Sequence, residues 1–142
     1  MLRFLISPVK GQAMSSIPWK NEAERGADWM NREHDLQLSL LDQLLAALDT
    51  RAPIARSILD ELLTASDLHF ATEEVLMRQH SHPKYHLHVD EHRRLMEELR
   101  ALDRRFGAAL AQPEDVLSMR RSLTAHIENL DGDVETVVRQ QA

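Results

Sequence analysis

His69-Phe70-Ala71-Thr72-Glu73-Glu74-Val75-Leu76-Met77, followed after a break at Ser81-His82-Pro83 by His88-Val89-Asp90-Glu91-His92, is the stretch whose reading decides the fold. In both halves a metal-capable side chain recurs after four residues, at steps that otherwise carry leucine. That period stacks side chains on one face of an α-helix, not of a strand.

Working outward, four helical stretches are expected. The first runs from about Asp28 to Ala47, with His34, Leu38, Leu41, Leu45 and Leu48 on its inner face. The second starts near Pro53 and reaches about Gln79, with Ile58, Leu62, Ala65, His69, Glu73 and Leu76 inward. The third covers about Lys84 to Leu110, with His88, His92, Leu95, Leu99, Leu102 and Phe106. The fourth opens at Pro113-Glu114-Asp115, acids suited to a helix N-terminus, and runs to about Arg139 with Met119, Leu123, His126, Leu130, Val134 and Val137. Short connections make neighbours antiparallel, so the expected fold is all-α, an up-down-up-down four-helix bundle over residues 25–142. Residues 1–24, with Gly11, Ser15, Ser16 and Pro18, read as an extended N-terminal arm, and Met14 as an alternative start.

Composition agrees. A chain of 142 residues, 43% apolar, with four glycines and five prolines, suits one helical domain with a real core. A net charge of −6 argues against nucleic acid as a partner. The absence of cysteine removes disulfides, iron–sulfur clusters and zinc–thiolate sites, and fits a reducing cytoplasm. No apolar run is long enough to span a membrane. The expected localisation is cytoplasmic.

The chemistry lies in what interrupts the apolar stripes. His34, His69 with Glu73, His88 with His92, and His126 with Asp131 bring five imidazoles and two carboxylates from all four helices onto core faces. Buried without partners, such groups would each cost several kcal/mol, against a total stability of about 5–15 kcal/mol. Metal coordination removes that cost. Seven ligands exceed one structural zinc site, carboxylates can bridge, and imidazole with carboxylate suits iron. Ferritin-like centres use Glu-x-x-His motifs and more carboxylates. A His-rich centre donates less charge, which favours reversible dioxygen binding over oxygenase chemistry.

His69-Phe70-x-x-Glu73-Glu74-x-x-Met77, Pro83 five residues before His88, His88-x-x-x-His92 and His126-Ile127-x-x-x-Asp131, with Trp19 fifteen residues before His34, resemble the hemerythrin family, in particular its bacterial single-domain members. Myohemerythrin is a standing example of that bundle architecture. The resemblance covers about residues 19–135 and fills all seven family ligand positions. It implies two non-haem iron ions bridged by Glu73, Asp131 and an oxo or hydroxo group. His88, His92 and His126 would complete one ion. His34 and His69 would hold the other, whose open position takes dioxygen. Phe70 and Ile127 would line the dioxygen pocket. The implied function is an oxygen carrier, store or delivery protein, not an enzyme; a redox sensor acting through a partner, or a peroxidase or NO-reducing enzyme, is the alternative.

Two departures from the family pattern bear on the pocket. Gln37 stands three residues after the first ligand, where an apolar residue is usual, and Ser122-Leu123 stand where Trp-Leu is usual. Facing the pocket, Gln37 and Ser122 would make it polar; alternatively Gln37 points to the surface. His126 and Asp131 are about 140° apart on an ideal α-helix. The preferred expectation is that they approach from two sides of the fourth helix; the alternative is a π-type bulge near Leu130. His80, His82 and His86 are expected to be solvated, Glu74 to lie behind a ligand or on the surface, and Arg93, Arg94, Arg104 and Arg105 with Glu97 and Glu98 to form a solvated charged face.

Overall fold

The computed structural model describes residues 22–140, and side-chain environments from residue 25. Helix α1 spans Glu22–Asp49, α2 Ala55–Gln79, α3 Tyr85–Gly107 and α4 Pro113–His126. A π-helical segment, Ile127–Asp131, continues α4 into α5, Gly132–Gln140. No strand occurs among the described residues. None of the described helices is long and apolar enough to cross a membrane. Trp19, Met14 and all but the last three residues of the expected arm lie outside the described residues; those three already belong to α1. The helix runs past its expected start because Glu22, Ala23 and Glu24 are good helix formers and Gly26 is held against the Leu76 side chain, where a Cβ would sit 3.4 Å away.

Cross-helix contacts fix the direction of each rod. Gln37 meets Ser66 and Glu33 meets His69 across α1 and α2. Glu74 meets His92 and Arg56 meets Asp103 across α2 and α3. Glu98 meets Ser122 and Arg105 meets Asp115 across α3 and α4. Asp42 meets Arg120 and Asp28 meets Arg139 as the fourth rod returns along α1. In every pair one number rises as the other falls, so all four neighbours are antiparallel: up, down, up, down.

The three inter-helix turns share one device. Arg51, Ser81 and Ala109 adopt left-handed backbone, φ 56°, 50° and 60°. The following amide then reaches back five residues: Ala52 to Ala47 at 2.8 Å, His82 to Met77 at 2.9 Å and Leu110 to Arg105 at 2.7 Å. These bonds close the last carbonyls of each helix. The fourth rod starts at Pro113, with the Gln112 backbone N–H donating to Asp115 Oδ2 at 2.8 Å.

The core has two apolar parts. The larger joins Leu40, Leu41, Leu44, Leu59, Leu62, Leu95, Leu99, Met119 and Leu123 with Phe70. The smaller joins Ala27, Met30, Met77, Val134 and Val138. The polar ligand layer lies between them. Most of the expected inner residues are buried, His34 and Leu41 among them, but at some positions the buried residue is a neighbour of the expected one. On α1, Gln37, Leu40, Leu44 and Ala47 are buried, while Leu38, Leu45 and Leu48 sit half-buried at the flank. Ser66, Met77 and Val138 likewise take the places expected for Ala65, Leu76 and Val137. A stripe at alternating steps of three and four admits two neighbouring rows, and packing selects one.

Candidate metal centre

All seven expected ligands converge. His34, His69, Glu73, His88, His92, His126 and Asp131 are each at most 5% exposed. They form two groups that share their carboxylates. Glu73, His88, His92, His126 and Asp131 make one, and His34, His69, Glu73 and Asp131 the other; in each, the donor atoms lie within 4.8 Å of one another.

The sharing is resolved at the level of single oxygens. Glu73 Oε1 lies 2.8 Å from His92 Nε2 and 3.1 Å from His88 Nε2, whereas Glu73 Oε2 faces His34 Nε2 at 4.0 Å. Asp131 Oδ1 lies 2.8 Å from His88 Nε2 and 3.0 Å from His126 Nε2, whereas Asp131 Oδ2 lies 2.8 Å from His34 Nε2. Each carboxylate thus turns one oxygen to each group.

Asp131 reaches this position through the π-helical segment, which corrects the expectation of a two-sided approach. A π turn closes hydrogen bonds over five residues instead of four. Residues 126 and 131 therefore come nearly into line on one face, and the ring and the carboxylate meet.

These contacts are too many for the protons available. His88 Nε2 has His126 Nε2 at 3.2 Å, Asp131 Oδ1 at 2.8 Å and Glu73 Oε1 at 3.1 Å, yet carries at most one hydrogen. His34 Nε2, His69 Nε2, Glu73 Oε2 and Asp131 Oδ2 are buried with no aligned hydrogen-bond partner. The spacings have two sizes. Donor atoms about 2.1 Å from a metal ion lie about 3.0 Å apart at right angles and about 4.2 Å apart across it. The observed 2.8–3.2 Å contacts match the first. His126 Nε2 to Glu73 Oε1, at 4.0 Å, matches the second, as does His34 Nε2 to Glu73 Oε2 at 4.0 Å. A regular tetrahedron has only one spacing. The spacings within the five-residue group fit a cation held by donors at right angles rather than in a tetrahedron.

Behind the ligands, carboxylates set the imidazole tautomers. Glu33 Oε1 lies 2.7 Å from His69 Nδ1 and Glu74 Oε2 lies 2.7 Å from His92 Nδ1. Each holds a proton on Nδ1 and leaves the Nε2 lone pair facing inward. Glu74 was expected in such a place. Glu33 was missed, although its position next to His34 and about 100° round the helix aims it at the facing helix.

Without a cation the centre balances itself with protons. Burial alone would raise Glu73, but the imidazoles of His126, His88 and His92 that face it hold it at about 2. Burial also opposes Asp131, which bonds from His126, His34 and His88 push well below the usual carboxylate range. Burial would lower His88, yet the bonds to Asp131 and Glu73 raise it to about 9. His126 is raised for the same reasons.

Around the ligands, Phe70 is 3% exposed and stacks on the His92 ring at 4.3 Å. Ile127 is half-buried against the larger core, and Leu123 is part of it. Gln37 is fully buried and donates from Nε2 to Ser66 Oγ at 3.0 Å, which removes the surface alternative. Ser122 is half-buried and its hydroxyl donates to Glu98 Oε1 at 2.9 Å. Its polarity is therefore spent on a helix neighbour. His82, expected in solvent, is 6% exposed. The Schellman turn at Ser81 folds it inward, with Nδ1 accepting from the Lys84 N–H at 3.0 Å and its ring against His88. Burial lowers its pKa. His86 is exposed, as expected. The arginine face is solvated and ion-paired, Arg94 with Glu91 and Glu98, Arg104 with Glu97.

A four-helix bundle with a buried, His-rich cation site between two apolar cores is the class that fold and site define. The family profile described as the hemerythrin HHE cation binding domain matches residues 25–136. The chain belongs to the hemerythrin family. No curated protein and no solved structure matches it significantly.

Proposed function

We propose that the protein holds two iron ions and binds dioxygen reversibly, as a carrier, store or delivery module of the cytoplasm. The observation that carries the reading is the division of Glu73 and Asp131, each with one oxygen in either donor group. That arrangement supports two bridged ions rather than one. The two groups are unequal, five residues against four, so the His34–His69 side has room for an external ligand. Imidazole and carboxylate without thiolate suit iron. When bound, an iron pair supplies two electrons and an open coordination position for dioxygen.

The chain's own residues supply the rest. Glu33 and Glu74 orient His69 and His92. Phe70 and Ile127 keep the pocket walls apolar and limit water. The reading is of a binding protein, not an enzyme. Buried Gln37 favours a second use, in which a more polar pocket speeds autoxidation and suits sensing or peroxide and NO chemistry.

Anaerobic iron loading of the purified protein, followed by absorption spectra on adding and removing dioxygen, tests the reading. The expected result is two irons per chain and a band that appears with dioxygen and vanishes on its removal. One zinc ion and no such band would overturn it. Steady-state turnover of peroxide or NO would favour the enzyme, and an unchanged autoxidation rate in Gln37→Leu would remove the argument from Gln37.

A further inference from the structure

One helical turn from the His34–His69 pair, whose rings are 4.7 Å apart, the apolar core contains a polar couple. Gln37 follows His34 by three residues on α1, and Ser66 precedes His69 by three on α2, so both lie on the ligand-bearing faces. Both are fully buried. Gln37 Nε2 donates to Ser66 Oγ at 3.0 Å, while Gln37 Oε1 has no partner.

A glutamine that served packing alone would be satisfied at both ends, because an unpaired buried acceptor is destabilising. Here one end is anchored and the other is left over, in the layer next to the donor atoms. Helical side chains lean toward the N-terminus of their helix, which tips Gln37 toward the turn bearing His34. The anchor is also reversible in sense. A serine hydroxyl both donates and accepts, so the amide can turn over about its last bond, presenting either its oxygen or its N–H groups without losing Ser66.

Resting on the two-ion reading above, we propose that Gln37, anchored by Ser66, hydrogen-bonds the small ligand taken on the His34–His69 side. It favours ligands that are anionic or hydrogen-bonding once bound, the class represented by azide, over ligands that stay apolar when bound. Gln37 acts as a specificity-determining residue and Ser66 as its positioning residue. With its N–H groups turned inward the amide meets an anion; with its oxygen inward it accepts from a protonated ligand.

The test titrates azide into the oxidised, iron-loaded protein by absorption, with metal content measured on every sample. Gln37→Leu is expected to keep two ions per chain and to weaken azide by about ten-fold or more, the loss typical of a hydrogen bond to a charged group. Gln37→Glu is expected to weaken it further, because a carboxylate repels the anion while keeping size and shape. Ser66→Ala, which frees the amide without altering it, gives a smaller loss. Melting of the metal-free Gln37→Leu protein at or above the unsubstituted temperature would separate this role from a structural one. Azide affinity within about twofold across the variants, with two ions retained, overturns the proposal alone. Loss of the ions from both Gln37→Leu and Ser66→Ala also overturns it, by making the couple structural. Fewer than two ions in the unsubstituted protein overturns the two-ion reading, and the proposal with it.

Discussion

Asp131 Oδ1 stands 3.0 Å from His126 Nε2 although five residues separate them, because the helix between them widens into a π turn. The turn brings Asp131 in beside the ring, with its second oxygen free for His34. Removal of Asp131 therefore affects both donor groups, whereas removal of His34 affects one. Asp131→Ala is expected to leave fewer than one metal ion per chain, and His34→Ala close to one. Metal analysis after gel filtration checks this; equal losses in the two variants would contradict the shared-carboxylate arrangement.

The carboxylates that hold Nδ1 of His69 and His92 predict a graded effect. Glu33→Gln and Glu74→Gln keep the side-chain shape but remove the charge that fixes the tautomer. Each is expected to weaken metal binding by about 10–100-fold with the helical circular dichroism unchanged. Competition against a chelator reads the affinity. Glu33 is the more telling of the two, since its role is visible only across helices.

The pH dependence of the metal-free protein follows from two opposed shifts. Glu73, lowered from 4.5 to about 2, contributes stability that is present above 4.5 and lost as pH falls through about 2. His88, raised from 6.5 to about 9, contributes stability that is present below 6.5 and lost as pH rises through about 9. The melting temperature in chelator should therefore be highest between these limits and decline from pH 6.5 to 9. Bound metal replaces the protons, so the loaded protein should show little decline over that range and its affinity should rise with pH. A metal-free melting temperature that is flat from pH 6.5 to 9 would contradict the assignment.

Ala109 closes α3 in left-handed backbone, φ 60°, where a Cβ costs about 1–2 kcal/mol. Ala109→Gly is expected to stabilise the protein by about 1 kcal/mol after the glycine's own entropy cost. That corresponds to a rise of about 3 °C in melting temperature, with metal content unaffected. Scanning calorimetry checks it.

Phe70 predicts the reverse. It is 3% exposed and stacked on His92, so Phe70→Ala should cost about 3–5 kcal/mol and loosen the ring it covers. Denaturant unfolding of the loaded and metal-free forms would show the loss in both.

The sequence by itself determined the four helices and their antiparallel order. Steps of three and four residues can bury a face only as helices, and the connections are too short for any other path. It also marked the seven metal-capable residues, because imidazoles and carboxylates on apolar faces have few other uses. Which of two adjacent stripes faced inward on α1 was a matter for packing, since Leu38 and Leu45 fit the period as well as Leu40 and Leu44 do. Only the tertiary structure widened the helix at Ile127–Asp131, where cross-bundle contacts outweigh the local preference for an α turn. It alone brought Glu33 to His69, turned His82 inward, spent Ser122 on Glu98 and left Gln37 Oε1 without a partner in the core. Each of those depends on which residue of a neighbouring helix stands opposite, and spacing along one chain cannot encode the register between two.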